Sequence, residues 1–258
     1  MGWLQAPAAT ERQNLRTELK DRPVRPPVRN LSGQVAELLG EAIVSGRHSV
    51  GSALLSDIDG SKQFNVSRAA YREAIKILSA KGLVESRQKA GTRITSMDRW
   101  NLLDTDVLAW MFSSEPSEAL IRDLFELRSV VEPAAASLAA QRRTAEQLSR
   151  MGHALEEMAR HGLYTVEGRK ADEDFHSHIL AATGNQALIS LTQSISAAIH
   201  WSVIFNTARN RKIRDSIPDH RSVYAAIADG DAETAQTATL HLLTLALNDT
   251  KFSIKIRE

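Results

Sequence analysis

The sequence contains no cysteine, no internal repeat and no apolar run approaching the roughly 18 residues that a membrane span requires. Without thiols there is no disulfide framework, no thiolate metal site and no cysteine nucleophile, and the composition fits a reducing compartment. The first residues, MGWLQAPAATERQ, lack the basic segment and apolar core of a secretion signal. A soluble, cytoplasmic chain with no membrane partner is expected.

What is present suffices for real hydrophobic cores: 43% hydrophobic and 24% charged residues in 258, the length of one large domain or two ordinary ones. The net charge of +1 conceals an asymmetry. Residues 1–97 carry 15 Lys/Arg against 9 Asp/Glu, or +6, which leaves −5 for residues 98–258. A basic front and an acidic rear point to a polyanionic partner for the front alone.

Residues 1–30, with Arg22-Pro23-Val24-Arg25-Pro26-Pro27, show little apolar periodicity and are expected to form a flexible basic tail. From Leu31 the pattern changes. Val35, Leu38, Leu39, Ala42 and Ile43 follow the spacing of one helical face, and Gly46 can end that helix. Ser56 with Asp59 three residues on resembles a capping box, opening a short helix to about Gln63. A tight connection, Phe64-Asn65-Val66, precedes Ser67, which caps a third helix with Ala70, Ala74, Ile75, Ile77 and Leu78 inward, ending at Lys81-Gly82. Two extended stretches, Leu83–Arg87 and Thr92–Thr95, flank the turn Gln88-Lys89-Ala90-Gly91. Three helices and a hairpin over residues 31–97 describe a winged helix-turn-helix. Residues 98–117 are expected to be a hinge with a short helix. Residues 118–250 carry long helical patterns broken at Gly162, Gly184, Pro218 and Gly230, expected as an all-α bundle of about six helices, with a tail over 251–258. The fold class is mainly α.

Ser67, Arg68 and Arg72 lie on the first turns of the second helix of the pair, the two arginines four residues apart on one face. In helix-turn-helix proteins that end enters the major groove, where arginine can grip guanine with a bidentate pair. Between Ser67 and Arg93 there are seven Lys/Arg and two Asp/Glu. The stretch Asn65-Val-Ser-Arg-Ala-Ala-Tyr-Arg-Glu-Ala-Ile-Lys-Ile-Leu, followed by Lys81-Gly-Leu-Val-Glu-Ser-Arg-Gln-Lys-Ala-Gly-Thr-Arg-Ile, resembles the GntR family of bacterial repressors. The resemblance implies DNA contacts from Ser67, Arg68, Arg72, Lys89 and Gly91. Ile58 departs from it where many members place a polar or basic contact, and Lys89-Ala90 replaces the usual glycine-containing wing tip.

Phe125-Glu-Leu-Arg128-Ser-Val-Val-Glu132-Pro-Ala, Asp172-Glu-Asp-Phe-His176 and Gly184-Asn185 are similar to the C-terminal ligand (FCD) domain of the FadR-type branch of that family. Asn101-Leu-Leu-Asp-Thr-Asp-Val-Leu-Ala-Trp110 looks like a subgroup whose members answer to sugar acids such as galactonate, gluconate and hexuronates. The resemblance implies a divalent metal, commonly zinc, held by Asp172, His176 and His220. Asp172 and His176 share one helical face and can chelate a single ion. The family's fourth ligand falls at Leu242. The adjacent His241 is rotated by about 100° on an ideal helix, so either a local bulge brings it in or three protein ligands share the ion with water or effector. Arg128, on an otherwise apolar helix, needs a partner: Glu126, Glu132 or, preferred here, the carboxylate of an effector. Ser194, His200 and Asn206 are candidate neighbours of that effector, whereas His153, His161 and His178 fit no ligand spacing. The expected function is a homodimeric, ligand-released repressor. The alternative is a metal-dependent hydrolase or other enzyme using Asp172, His176 and His220, which leaves the DNA-binding front without a role.

Overall fold

The structure, a computed structural model, describes residues 30–87, 91–113, 116–209 and 214–255, with backbone alone at 87, 205–209 and 251–255. The expected tail, apart from Asn30, and the wing-tip residues Gln88, Lys89 and Ala90 lie outside the described residues.

Three helices open the fold: α1 (Leu31–Val44), α2 (Asp57–Gln63) and α3 (Arg68–Ala80). Each begins where a short polar side chain accepts an otherwise orphaned backbone N–H. Asn30 takes that of Gly33, Ser56 that of Asp59, and Ser67 that of Ala70. Asn65, at φ +52°, turns the chain between α2 and α3. The two helices approach closely because Gly60 has no Cβ, which would stand 2.2 Å from the Tyr71 ring. Leu38, expected inward, is 55% exposed. The apolar stripe of α1 is displaced toward Ala36 and Gly40, where a later tryptophan, Trp110, lies against the backbone so tightly that a Cβ on Gly40 would meet its ring at 2.4 Å. Strands β1 (Val84–Arg87) and β2 (Gly91–Ile94) pair antiparallel from Val84↔Ile94 to Arg87↔Gly91, and Gly91 adopts φ +74° where the wing returns. Val35, Leu39, Ile43, Tyr71, Leu78, Leu83 and Ile94 form the core of this winged unit.

The second unit comprises α5 (Glu118–Arg142), α6 (Ala145–His161), α7 (Val166–Ala182), α8 (Gln186–Ser190), α9 (Thr192–Arg209), α10 (Ile217–Asp229) and α11 (Ala232–Lys255). Six are long and α8 is a short extra turn. α11 continues to Lys255, into the stretch expected as a tail. Small residues on α5, Ala135, Ala136, Ala139 and Ala140, are fully buried against the neighbouring helices, and Phe175, Met151, Met158, Leu180 and Ile227 fill the centre. Among the described residues, no helix is long and apolar enough to cross a membrane.

The stretch expected as a hinge holds α4 (Thr105–Ser113), which belongs to both units. Val107 and Trp110 join the winged core, while Leu108 packs with Leu120, Leu124 and Ala198 of the helical unit. Phe112 stacks on Trp201 of α9 at 5.8 Å. Its N-terminal end is tied to α3 by Lys81, which bridges Asp104 at 2.6 Å and Asp106 at 2.8 Å. Burial alone works to lower the Lys81 pKa, but the two carboxylates outweigh it and raise the value, so the ammonium stays charged.

Candidate functional site

Two sites emerge, one exposed and one buried. At the N-terminal end of α3, the cap Ser67 and the helix residues Arg68 and Arg72, expected to contact DNA, are solvent-exposed. Arg72 Nε meets Asp57 Oδ2 of α2 at 2.7 Å, with side-chain exposures of 67% and 39%. That pair joins the two helices while leaving the arginine accessible. Ile58, 45% exposed beside it, presents carbon where a polar contact was noted as usual. Gly91 stands at the base of the wing in a left-handed conformation that a side chain rarely adopts.

The buried site is assembled by four helices. Along α5, Arg128 and Glu132 are one turn apart, and Arg128 Nε donates to Glu132 Oε1 at 2.6 Å with both side chains about 95% buried. Glu126, the other candidate partner, is exposed. The internal ion pair therefore accounts for Arg128, whose Nη1 also reaches Ser202 on α9 at 3.5 Å, at the long limit of a hydrogen bond. Arg128 nonetheless lines the pocket as well, so it can serve a ligand in addition. The second Glu132 oxygen lies 2.6 Å from His176 Nδ1 of α7. Two electronegative atoms that close require a proton between them, although the approach is poorly aligned and no regular hydrogen bond to Oε2 forms. Burial pushes the Glu132 pKa up, but Arg128 and then His176 outweigh it and hold the carboxyl at about 2.

The imidazole tautomers follow from these partners. His176 presents its Nδ1 proton to Glu132, and His220 presents its own to the backbone oxygen of Ser216 at 2.8 Å. Both rings thus direct a bare Nε2 at the same carboxylate: Asp172 Oδ1 lies 3.7 Å from His176 Nε2 and 3.0 Å from His220 Nε2. Phe175 sets its ring edge-on against both imidazoles, fixing their planes. The ligand atoms of Asp172, His176 and His220 lie within 4.8 Å of one another, and the His220 Nε2 is buried without a hydrogen-bond partner among the described residues. Three acceptors converging with no donor are electrostatically unsatisfied unless a cation or extra proton lies among them. The donor set, with each histidine's far nitrogen held by a carboxylate or carbonyl, is the arrangement that orients imidazoles toward a metal. The residues fit a divalent ion.

Asp172, His176, His220 and Arg128 all open on one pocket. Its apolar wall includes Phe125, Ile199, Val203 and Leu242. The remaining expectations divide. Leu242 is 4% exposed and faces the pocket, whereas His241 is exposed on another face of α11 and does not line the pocket. The helix runs regularly through this point, with no bulge to rotate His241 inward. Ser194 donates to the backbone oxygen of Leu103 at 2.8 Å, and His200 contacts Glu173 at 2.7 Å on the half-exposed side of α9. Neither lines the pocket; a helix face one or two residues away, Ile199, Ser202 and Val203, does. The side chain of Asn206 lies outside the described residues. Sequence reasoning missed Ser202, Ser216, Arg214 and Asp249, which line the pocket from segments whose spacing carries no metal or helix-turn-helix signature.

Comparison with known proteins agrees with this division. Residues 31–94 match the bacterial regulatory proteins of the gntR family, and residues 123–245 match the FCD domain. The galactonate operon transcriptional repressor of Escherichia coli is 30% identical over 216 residues, which cover 83% of this chain and 94% of that one. The uncharacterised helix-turn-helix regulator YieP of the same species is 32% identical over 217 residues, covering 83% and 93%. Among solved structures, the regulator Lar, which controls expression of the Listeria monocytogenes agr system, superposes with a TM-score of 0.60 at 18% identity, over 90% of this chain and 99% of that one, and so shares the fold. These relatives are transcription regulators, and an enzyme reading of the Asp172–His176–His220 cluster finds no support among them. The chain belongs to the gntR family of bacterial regulatory proteins, with an FCD domain behind its DNA-binding domain, and is a ligand-responsive DNA-binding transcription regulator.

Proposed function

We propose that the protein is a homodimeric repressor that leaves its operator when a sugar acid or related small carboxylate enters the pocket. The observation that carries this reading is the opening of Asp172, His176, His220 and Arg128 on one cavity. The similarity to a galactonate operon repressor supports the sign of control and the class of effector. Asp172, His176 and His220 would hold a divalent ion, with zinc suited to the nitrogen-rich donor set. When bound, such an ion supplies a positive centre with open positions for an oxygen ligand. Arg128 orients the effector carboxylate from the adjoining wall, and Glu132 keeps both Arg128 and His176 in place.

On the DNA side, Arg68 and Arg72 reach base edges, and the N-terminus of α3 behind the Ser67 cap receives a phosphate. Gly91 and Lys89 carry the wing to the backbone. One recognition helix reads a short half-site, so two-fold symmetry is needed for a specific operator. Coupling between the sites runs through α9. One face of it, Ile199, Ser202 and Val203, lines the pocket; the other, Ala198 and Trp201, packs on α4, which is anchored in the winged core. Effector and operator then weaken each other's binding by the same factor.

The test is metal content with operator binding. His176→Ala is expected to lose the ion by plasma emission spectrometry and to blunt release by effector, with operator affinity by fluorescence anisotropy unchanged. His241→Ala should retain both metal and response. An ion retained in His176→Ala, or lost in His241→Ala, refutes the ligand set, and a monomer by light scattering with and without DNA refutes the dimer.

A further inference from the structure

Ser194, on the first turn of α9, does not line the pocket, yet its hydroxyl donates to the backbone oxygen of Leu103 at 2.8 Å. Leu103 lies in the turn before α4, and that turn is fastened twice to Lys81, the residue that closes α3. The backbone N–H of Asn101 donates to the Lys81 carbonyl at 2.9 Å, and Lys81 Nζ bridges Asp104 Oδ1 at 2.6 Å. The same Asp104 oxygen accepts the N–H groups of Asp106 at 3.0 Å and Val107 at 3.2 Å, where α4 begins. One residue of chain thus separates the atom Ser194 grips from the carboxylate that holds the end of the reading helix.

Further along, α9 meets the polar network of the pocket. Ser202 follows Ser194 by eight residues, about 12 Å of helix. Its Oγ donates to the Ile199 carbonyl at 2.8 Å, leaving its lone pairs for Arg128, whose Nη1 stands 3.5 Å away. Arg128 holds Glu132, and Glu132 meets His176 Nδ1. Named contacts therefore run from His176 to Lys81, with α9 as the rod between them. The packing of Ala198 and Trp201 around α4 is apolar and has no preferred direction. A hydrogen bond weakens steeply as its angle changes, so a small rotation of α9 is felt first at Ser194.

We propose that the Ser194–Leu103 hydrogen bond is the joint through which occupancy of the pocket is passed to the recognition helix. Ser194 is then a positioning residue for DNA binding, and its replacement leaves a pocket that fills without moving α3. The inference rests on the reading of Asp172, His176 and His220 as a metal site. With a cation among those three acceptors, His176 is held at both ring nitrogens, which steadies Glu132, Arg128 and the Ser202 end of α9. Backbone amides at the far end of the rod then open less often.

The test is hydrogen exchange by mass spectrometry on the full chain, stripped of metal and then loaded with zinc alone, with zinc affinity measured by calorimetry. Zinc is expected to slow exchange about three-fold over residues 101–104 and over residues 79–83 at the end of α3. Ser194→Ala should bind zinc within about two-fold of the unaltered chain, since the two positions share no contact, and should lose the slowing in both segments. Ser196→Ala is the control on the same helix: it removes a hydroxyl that pairs with Ser177 of α7 instead, and should keep the slowing. Melting temperatures check that both variants fold. Slowing that persists in Ser194→Ala, or disappears equally in Ser196→Ala, overturns the proposal. Zinc that binds the unaltered chain without slowing either segment removes the joint and leaves the metal site standing; zinc that does not bind removes both.

Discussion

Two arginine–carboxylate pairs of nearly equal length sit in the two halves of the molecule. Arg72–Asp57 spans 2.7 Å on the surface of the winged unit, with side chains 67% and 39% exposed. Arg128–Glu132 spans 2.6 Å inside the bundle, with side chains 5% and 4% exposed. The chemistry is the same and the consequences differ. An exposed pair exchanges its partner for water or phosphate at little cost, so Arg72 can leave Asp57 for another anion. A buried pair has given up its hydration, and removing one member strands the other's charge in a medium that cannot solvate it. The exposed pair can therefore vary without endangering the fold, whereas the buried pair is part of the core.

The largest effect should come from the buried pair. Glu132→Ala removes the partner of Arg128 and of His176 Nδ1 together, and urea denaturation is expected to show a loss of about 3–5 kcal/mol. A loss below about 1 kcal/mol would place Arg128 with the exposed class, rescued by water entering the pocket. Next in size, Arg72→Ala should weaken specific operator binding by about 1–3 kcal/mol while changing the unfolding free energy by less than about 0.5 kcal/mol. Equal losses in stability and operator affinity would erase the contrast between the two halves. The smallest effect belongs to Asp57→Asn. Freeing Arg72 from its intramolecular carboxylate should tighten DNA binding by about 0.2–1 kcal/mol in anisotropy titrations. A loss of affinity instead would mean that Asp57 positions Arg72 rather than competing for it.

Much of the front half was legible because its signals are local. Ser56 and Ser67 cap helices through N–H groups three residues on, Asn65 makes its turn with its own backbone, and a turn ending at Gly91 sets β1 against β2. Leu38 was misassigned for a nonlocal reason: the direction in which α1 buries its stripe was set by Trp110, some seventy residues away, pressing on Gly40.

The sequence by itself determined the order of elements, the basic front, and the pair Asp172–His176, because four residues on a helix are one turn and both side chains then share a face. Tertiary structure alone decided the rest of the sensor. It buried the Arg128–Glu132 pair that helix spacing allows and brought His176 of α7 against the second Glu132 oxygen. It turned Leu242 rather than His241 to the cavity, because one residue is about 100° of helix and the phase of α11 is fixed by its contact with α5. And it brought Arg214 to Asp249 across 35 positions of sequence, a separation at which spacing carries no information and only the closure of the bundle makes neighbours.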